Sequence, residues 1–316
     1  MKGSMLRATC ALVFLGAAVR AGAGGPEFPM MQAVPLPGDA VSFQRDGTEV
    51  AAVRFGAGLR RPFIFPIAGP SGRWLTRMGH PGDPEGHRHH NSVWISHKDV
   101  NGVSFWEDAG QGRIVHRRIE RFEDGPRESA MVSLNAWEDG GGKVLVEERR
   151  RVAVRALAGG ETMLVLEVEL AASHGPVTFG ATPFGLIGVR MAKTLGVKDG
   201  AGRIQNSEGG INEEGTFRKP ARWVDYAGRS APGCVEGIAL MDHPGNPGHP
   251  AAFHTRDDGW MGACLSKDAP VSVPSGGTLR VRYGLYIHAG GCDPGKIDAL
   301  WREFAEEAVG RSPEDP

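Results

Sequence analysis

Over most of its middle the chain alternates apolar and polar residues with a period of two, along 112–122, 128–138, 143–155, 162–170 and 278–288. In 143–155, Val144, Val146, Val152 and Val154 share one face, while Glu147, Arg149, Arg151 and Arg155 share the other. That division marks a long antiparallel strand buried on one side. Leu164, Leu166, Val168 and Leu170 repeat the device, and the turn formers Asp139-Gly140-Gly141-Gly142 and Ala158-Gly159-Gly160 separate the runs into a meander. One helix is predicted near the C-terminus. Asp293 caps it, Pro294 suits its first turn, and Ile297, Leu300, Trp301, Phe304 and Ala308 recur at helical spacing before Gly310. The economical architecture is all-β: one antiparallel two-sheet sandwich over 26–310, with the helix packed outside the sheets and a frayed tail at 311–316.

Charge and composition narrow the partners. With 36 Lys+Arg against 37 Asp+Glu, a net charge of −1, the chain has no basic excess to neutralise phosphates, so nucleic acid is not an expected partner. An apolar share of 41% suffices for a core and argues against disorder. Residues 1–25 place Lys2 and Arg7 before the apolar run Ala8 to Val19 and the small residues Ala21 to Gly24, the pattern of a secretory leader. About 12 apolar residues reach only ~18 Å as a helix, short of the ~30 Å hydrocarbon core. No later segment is long and apolar enough to span, so the expectation is an exported, periplasmic or extracellular protein without a membrane span after leader removal. Cys10 leaves with the leader. Cys234, Cys264 and Cys292 are too few and too odd for a disulfide framework, though one bridge and one free thiol fit the count.

Three segments break the alternation, 68–108, 190–226 and 241–260, and they hold most of the His, Trp, Arg and Asn residues. Long loops on a sandwich place a site at one mouth or on one concave face. Five of the eleven histidines fall between His80 and His97. If 87–94 is extended, His87 and His89 share a face about 6.6 Å apart and can converge on one ion, His90 faces away, and His97, about 26 Å beyond His89, joins only if the backbone bends. The second cluster holds His243, His249 and His254 with Asp257 and Asp258; a carboxylate there could orient an imidazole or complete a coordination sphere. The third is Asn212, Glu213 and Glu214 beside Arg218, Lys219 and Arg222, where a carboxylate could serve as general acid or base. Trp74, Trp94, Trp106, Trp223 and Trp260 lie in these same segments. Indole faces match the C–H face of a pyranose while Arg, Asn, Asp and His satisfy its hydroxyls, which points to a sugar-sized polar ligand.

Several motifs together resemble the bacterial PmoA-like family, often labelled "methane oxygenase PmoA". They are Arg61-Pro62-Phe63-Ile64-Phe65-Pro66, Gly79-His80-Pro81, His87-Arg88-His89-His90-Asn91-Ser92-Val93-Trp94, His97-Lys98-Asp99-Val100-Asn101-Gly102, Phe105-Trp106, Asn212-Glu213-Glu214-Gly215, His243-Pro244-Gly245-Asn246-Pro247 and Tyr286-Ile287-His288. The resemblance covers nearly the whole mature chain. It implies a galactose-mutarotase-like β-supersandwich and kinship with exported proteins of sugar-degrading bacteria, and it carries no settled reaction. The methane-oxygenase label sits poorly on a chain with no membrane spans.

The expected function is an exported carbohydrate-active enzyme that hydrolyses, or eliminates across, a glycosidic bond of a glycoside or oxidised sugar. His89, Glu213 and Asp258 are the candidate catalytic groups. His87, His89, His249 and His254 are candidates to hold one divalent metal ion, and no nucleotide cofactor is expected. Substrate contacts fall to Arg73, Arg88, His90, Trp94, His97, Asn101, Trp106, Asn212 and Arg256. The alternatives are a mutarotase-type epimerase, a non-catalytic carbohydrate-binding module and, from the family label, a copper protein.

Overall fold

A computed structural model describes residues 28–80, 83 and 87–307; the expected leader at 1–25 and tail at 311–316 lie outside them. Among the described residues, two large antiparallel sheets carry the fold, as the alternation predicts. The first has nine strands, ordered Met31–Leu36, Ala40–Arg45, Thr48–Arg54, Phe63–Ile67, Val93–His97, Thr182–Arg190, Trp260–Ser266, Ala252–Arg256 and Lys219–Pro220. The second has eight, ordered Arg203–Asn206, Trp223–Ala231, Cys234–Asp242, Thr278–Ala289, Thr162–Ala171, Val144–Ala156, Glu128–Glu138 and Arg113–Glu123.

One core fills the space between the sheets. Val93, Ile95, Ile187, Val189, Met261 and Ala263 enter it from the first sheet, and Val146, Val152, Val154, Leu164, Leu166 and Val168 from the second. These are every-other-residue sets, so the period of two decides which face is dry. Within that core Glu148 and Arg150 are also buried and paired at 2.5 Å, and Glu148 accepts hydrogen bonds from Asn135 and Trp137. Burial there is tolerable because the charges are paired and bonded.

The second sheet is covered outside as well as inside. Ala130, Ala153, Met163, Val165, Trp223 and Met241 pack against Ile297 and Phe304 of the helix Pro294–Glu306. Asp293 caps that helix by accepting from the Lys296 amide at 3.1 Å. No described helix is long and apolar enough to cross a membrane. Cys234, Cys264 and Cys292 are all free thiols.

The outer face of the first sheet is different. There Phe63, Trp94, Trp106 and Trp260 form a separate aromatic cluster, with Phe65, Met78 and Phe184 against it. This cluster is the floor of the candidate site.

Candidate functional site

Three stretches distant in sequence meet above the aromatic floor and enclose a cavity of about 500 Å³. His87, His89 and His90 come from the loop before strand Val93–His97. His254 and Arg256 come from strand Ala252–Arg256, where their spacing of two aims both at the same face. Glu213 comes from the short helix Asn212–Thr216. The last two segments clamp each other: the Glu213 amide donates to Asp257 Oδ1 at 3.0 Å, and the Asp257 amide donates to Glu213 Oε2 at 3.0 Å. Glu213 also pairs with Arg256 at 3.0 Å.

The histidine loop does not run extended. Residues 88 and 89 form a turn, closed by the His90 amide donating to the His87 carbonyl at 3.2 Å. His90, expected to face away, therefore stacks on His87 at 4.4 Å, while His87 and His89 stand edge-on at 6.1 Å. Below, His90 lies parallel to both Trp94 (5.1 Å) and Trp260 (5.3 Å). Arg61, fully buried, holds the turn from beneath, donating to the His89 carbonyl at 3.2 Å, to Asn91 at 2.9 Å and to the Trp106 carbonyl at 2.5 Å.

Electrostatically the cavity combines uncharged imidazoles with committed carboxylates. Burial, reinforced by the Arg61 charge, pushes His89 down to about 4. Burial pushes His254 down to about 3, with Arg218 and Arg256 acting in the same direction. Burial by itself would raise Asp258, but His87 and Arg190 outweigh it and hold this carboxyl well below the usual range. Arg190, whose side chain is 1% exposed, reaches Asp258 Oδ1 at 2.9 Å, and His87 Nδ1 lies 3.5 Å from Asp258 Oδ2. Glu107 is likewise held low: burial opposes ionisation, and hydrogen bonds from Ser104 and Lys98 overcome it.

Of the predicted residues, His87, His89, His90, Trp106, Glu213, His254, Arg256 and Asp258 all line this cavity. The others do not. Trp94 is 1% exposed beneath His90, so it supports the floor and offers no open platform. His97 shares the parity of Val93 and Ile95 and turns into the core, where it bonds Ser266 and the Asp99 carbonyl at 2.8 Å each. Asn101, in a left-handed turn, is tied to Pro176 and Thr178, and Asn212 accepts from the Ile204 amide; both are bracing residues. Arg73 and Arg88 are exposed and line no part of the cavity. His249 sits against the second sheet, bonded to Asp242 at 2.7 Å and stacked on Trp301 of the C-terminal helix at 6.0 Å. It therefore cannot share an ion with His87, His89 and His254, and no group of three or more His, Cys, Asp or Glu among the described residues is placed to hold a metal.

Sequence reasoning missed Arg190, Lys98, Glu107, Phe184 and Phe217. Arg190 ends an apolar strand on the outward parity of Gly188, opposite to Ile187 and Val189, and a lone charge closing that apolar run was the available signal. The remainder are brought in only by tertiary contact.

The class is thus an antiparallel two-sheet β protein with a polar, aromatic-floored cavity on one outer sheet face. The chain belongs to a family of unknown function (DUF6807), which matches residues 40–302. That match replaces the resemblance to the PmoA-like family, for which nothing else speaks. No curated protein matches the chain. Among solved structures it is similar to a heparan sulfate lyase HepC mutant from Pedobacter heparinus (9% identity, TM-score 0.42, 85% of this chain and 38% of that one). It is also similar to a 4-alpha-glucanotransferase from Thermococcus litoralis (10%, TM-score 0.33, 82% and 39%) and to a GalM/aldose epimerase homologue from C. elegans (7%, TM-score 0.31, 83% and 99%). The chain thus spans under two-fifths of the lyase and glucanotransferase chains.

Proposed function

We propose that the chain is a carbohydrate-active enzyme that removes the proton next to the carbonyl group of an oxidised sugar and eliminates the glycosidic oxygen one carbon further on. The observation that carries this reading is the line Arg190–Asp258–His87, which ends in a cavity whose other imidazoles, His89, His90 and His254, are all held uncharged by burial. Asp258 faces Nδ1 of His87 at 3.5 Å, longer than a formed hydrogen bond, and as this contact tightens around the substrate it fixes the tautomer that leaves Nε2 as the base. A neutral imidazole is a hydrogen-bond donor that polarises a carbonyl without being deprotonated itself, and this role falls to His89.

In the elimination His87 takes the proton, and the electron pair moves toward the carbonyl oxygen, where His89 donates. The carbon–carbon double bond then forms as the bond to the glycosidic oxygen breaks, and that oxygen takes a proton from solvent. Hydrolysis by paired carboxyls is the weaker fit, because it needs an acid with a raised pKa. In this cavity Asp258 and Glu107 are held low, and Glu213 is tied to Arg256. The buried position of Trp94 also removes the flat aromatic face that a binding module would use.

The test is incubation with a panel of uronate-containing and keto-disaccharides in deuterated water, following ultraviolet absorbance of the conjugated double bond and deuterium incorporation. His87→Ala should lower the rate about 10²–10⁴-fold. Neither double bond nor deuterium with any member of the panel would overturn the reading.

A further inference from the structure

The cavity's cations are not equivalent. Of the cations that line it, Lys98 is paired with Glu107 at 3.2 Å, Arg256 with Glu213 at 3.0 Å, and Lys198 also has a partner; behind the wall, Arg190 holds Asp258 at 2.9 Å. Arg218 also lines the cavity, yet among the described residues its guanidinium has neither an ion pair nor a hydrogen bond. It lies instead over the Phe217 ring, at 4.9 Å, against which Arg256 also rests at 5.5 Å. The backbone gives a second, independent observation: Arg218 has φ 57°, a left-handed conformation that glycine adopts freely and a long L side chain adopts rarely. The kink is where the chain leaves Phe217 and the Arg218 amide joins the Phe253 carbonyl at 2.7 Å, opening the edge strand Lys219–Pro220. Glycine would serve that kink better. Strained residues of this kind cluster where the side chain is used.

We propose that Arg218 receives a carboxylate of the ligand, which makes the substrate class a sugar acid and not a neutral keto-sugar; the assignment rests on the oxidised-sugar reading above. Phe217 supports the guanidinium plane, leaving its N–H fork free for two parallel bonds to a carboxylate. The same placement couples binding to chemistry. Arg218 stands near enough to His254 to disfavour its protonation, so neutralising the guanidinium with a bound carboxylate raises the proton affinity on that wall of the cavity.

The experiment compares the whole chain with Arg218→Gly, titrating each with glucuronate and with glucose while following indole fluorescence from the cavity tryptophans, and recording melting temperature. The wild-type protein should bind glucuronate more tightly than glucose. Arg218→Gly should weaken glucuronate about 10–100-fold, leave glucose alone, and melt no lower than wild type. Equal glucuronate binding by the two proteins, no preference for glucuronate in the wild type, or a lower melting temperature in the variant would overturn the assignment. If the glucuronate preference disappears with Arg218 while uronates undergo no proton exchange, the proposed reaction fails and the carboxylate receptor stands.

Discussion

Trp94 stands opposite Gly188 across the ladder between strands Val93–His97 and Thr182–Arg190, and its ring occupies the place of the missing side chain: a Cβ at 188 would lie 2.4 Å from Trp94 Cζ2. Both backbones are central strands and cannot yield. Gly188→Ala must therefore push the indole upward into His90, which rests on it. Overpacking of this kind costs about 1–3 kcal/mol. The expected result is a melting temperature several degrees lower together with impaired ligand binding, since floor and histidine loop move together. A variant that binds and melts like wild type would show that the floor is looser than this contact implies.

Asp258→Asn should be costly in two ways. It leaves Arg190 buried without its closest carboxylate, Asp83 being 3.7 Å away, and breaking a buried pair from one side costs about 3–5 kcal/mol. It also removes the acceptor facing His87 Nδ1, so turnover should fall further than the lost stability explains. Calorimetry and rate measurements on the same preparation separate the two. Because the Asp258 carboxyl is held low in the fold, its contribution is present above the ordinary carboxylate pKa and lost as pH falls through the lower folded value.

Histidine burial sets a second pH dependence at a higher range. His89 and His254 sit at about 4 and about 3 in the fold, against roughly 6.5 when unfolded, so between these values the unfolded chain binds more protons. Stability is therefore expected to be full above about pH 6.5 and to fall steadily as pH drops toward 4. His288 runs the other way: burial would lower it, but Asp225 at 2.7 Å raises it, so its contribution is present below the unfolded value and lost as pH rises through the folded one. Melting temperature against pH should show a net acid-side slope, and His254→Phe should flatten it. An unchanged slope in that variant would mean the imidazole is charged in the fold.

The strands were legible because one-sided burial writes itself as alternation. Val146, Val152, Val154, Leu164, Leu166 and Val168 are core residues as the pattern requires. Alternation failed where a face has two neighbours or a polar core: Met163 and Val165 are buried because the helix covers their side, and Glu148 with Arg150 enters the core as a bonded pair. The helix was legible from its cap and stripe. The site was legible only as residue types. Which histidines meet depended on a turn at 88–89, invisible to a strand template, and on strand parity, which sends His97 inward and His254 outward. Arg61 and Phe217 act through tertiary placement, for which local sequence holds no signal.

The two histidine populations should respond oppositely to truncation. His249 binds Asp242, which also accepts from the Ala251 amide and from Asn246, so His249→Ala opens a buried polar knot beside the C-terminal helix. Leaving such an acceptor undersatisfied costs about 1–3 kcal/mol, and the expected result is a lower melting temperature with cavity binding intact. His89 is partly exposed at the cavity, and its bond to the scaffold runs through its backbone carbonyl to Arg61, which alanine keeps. His89→Ala should thus melt within a few degrees of wild type and lose turnover. Should His249→Ala abolish activity at full stability, or His89→Ala melt many degrees lower while its folded fraction keeps full turnover, the division of the histidines between a chemical cavity and a structural knot would have to be reversed.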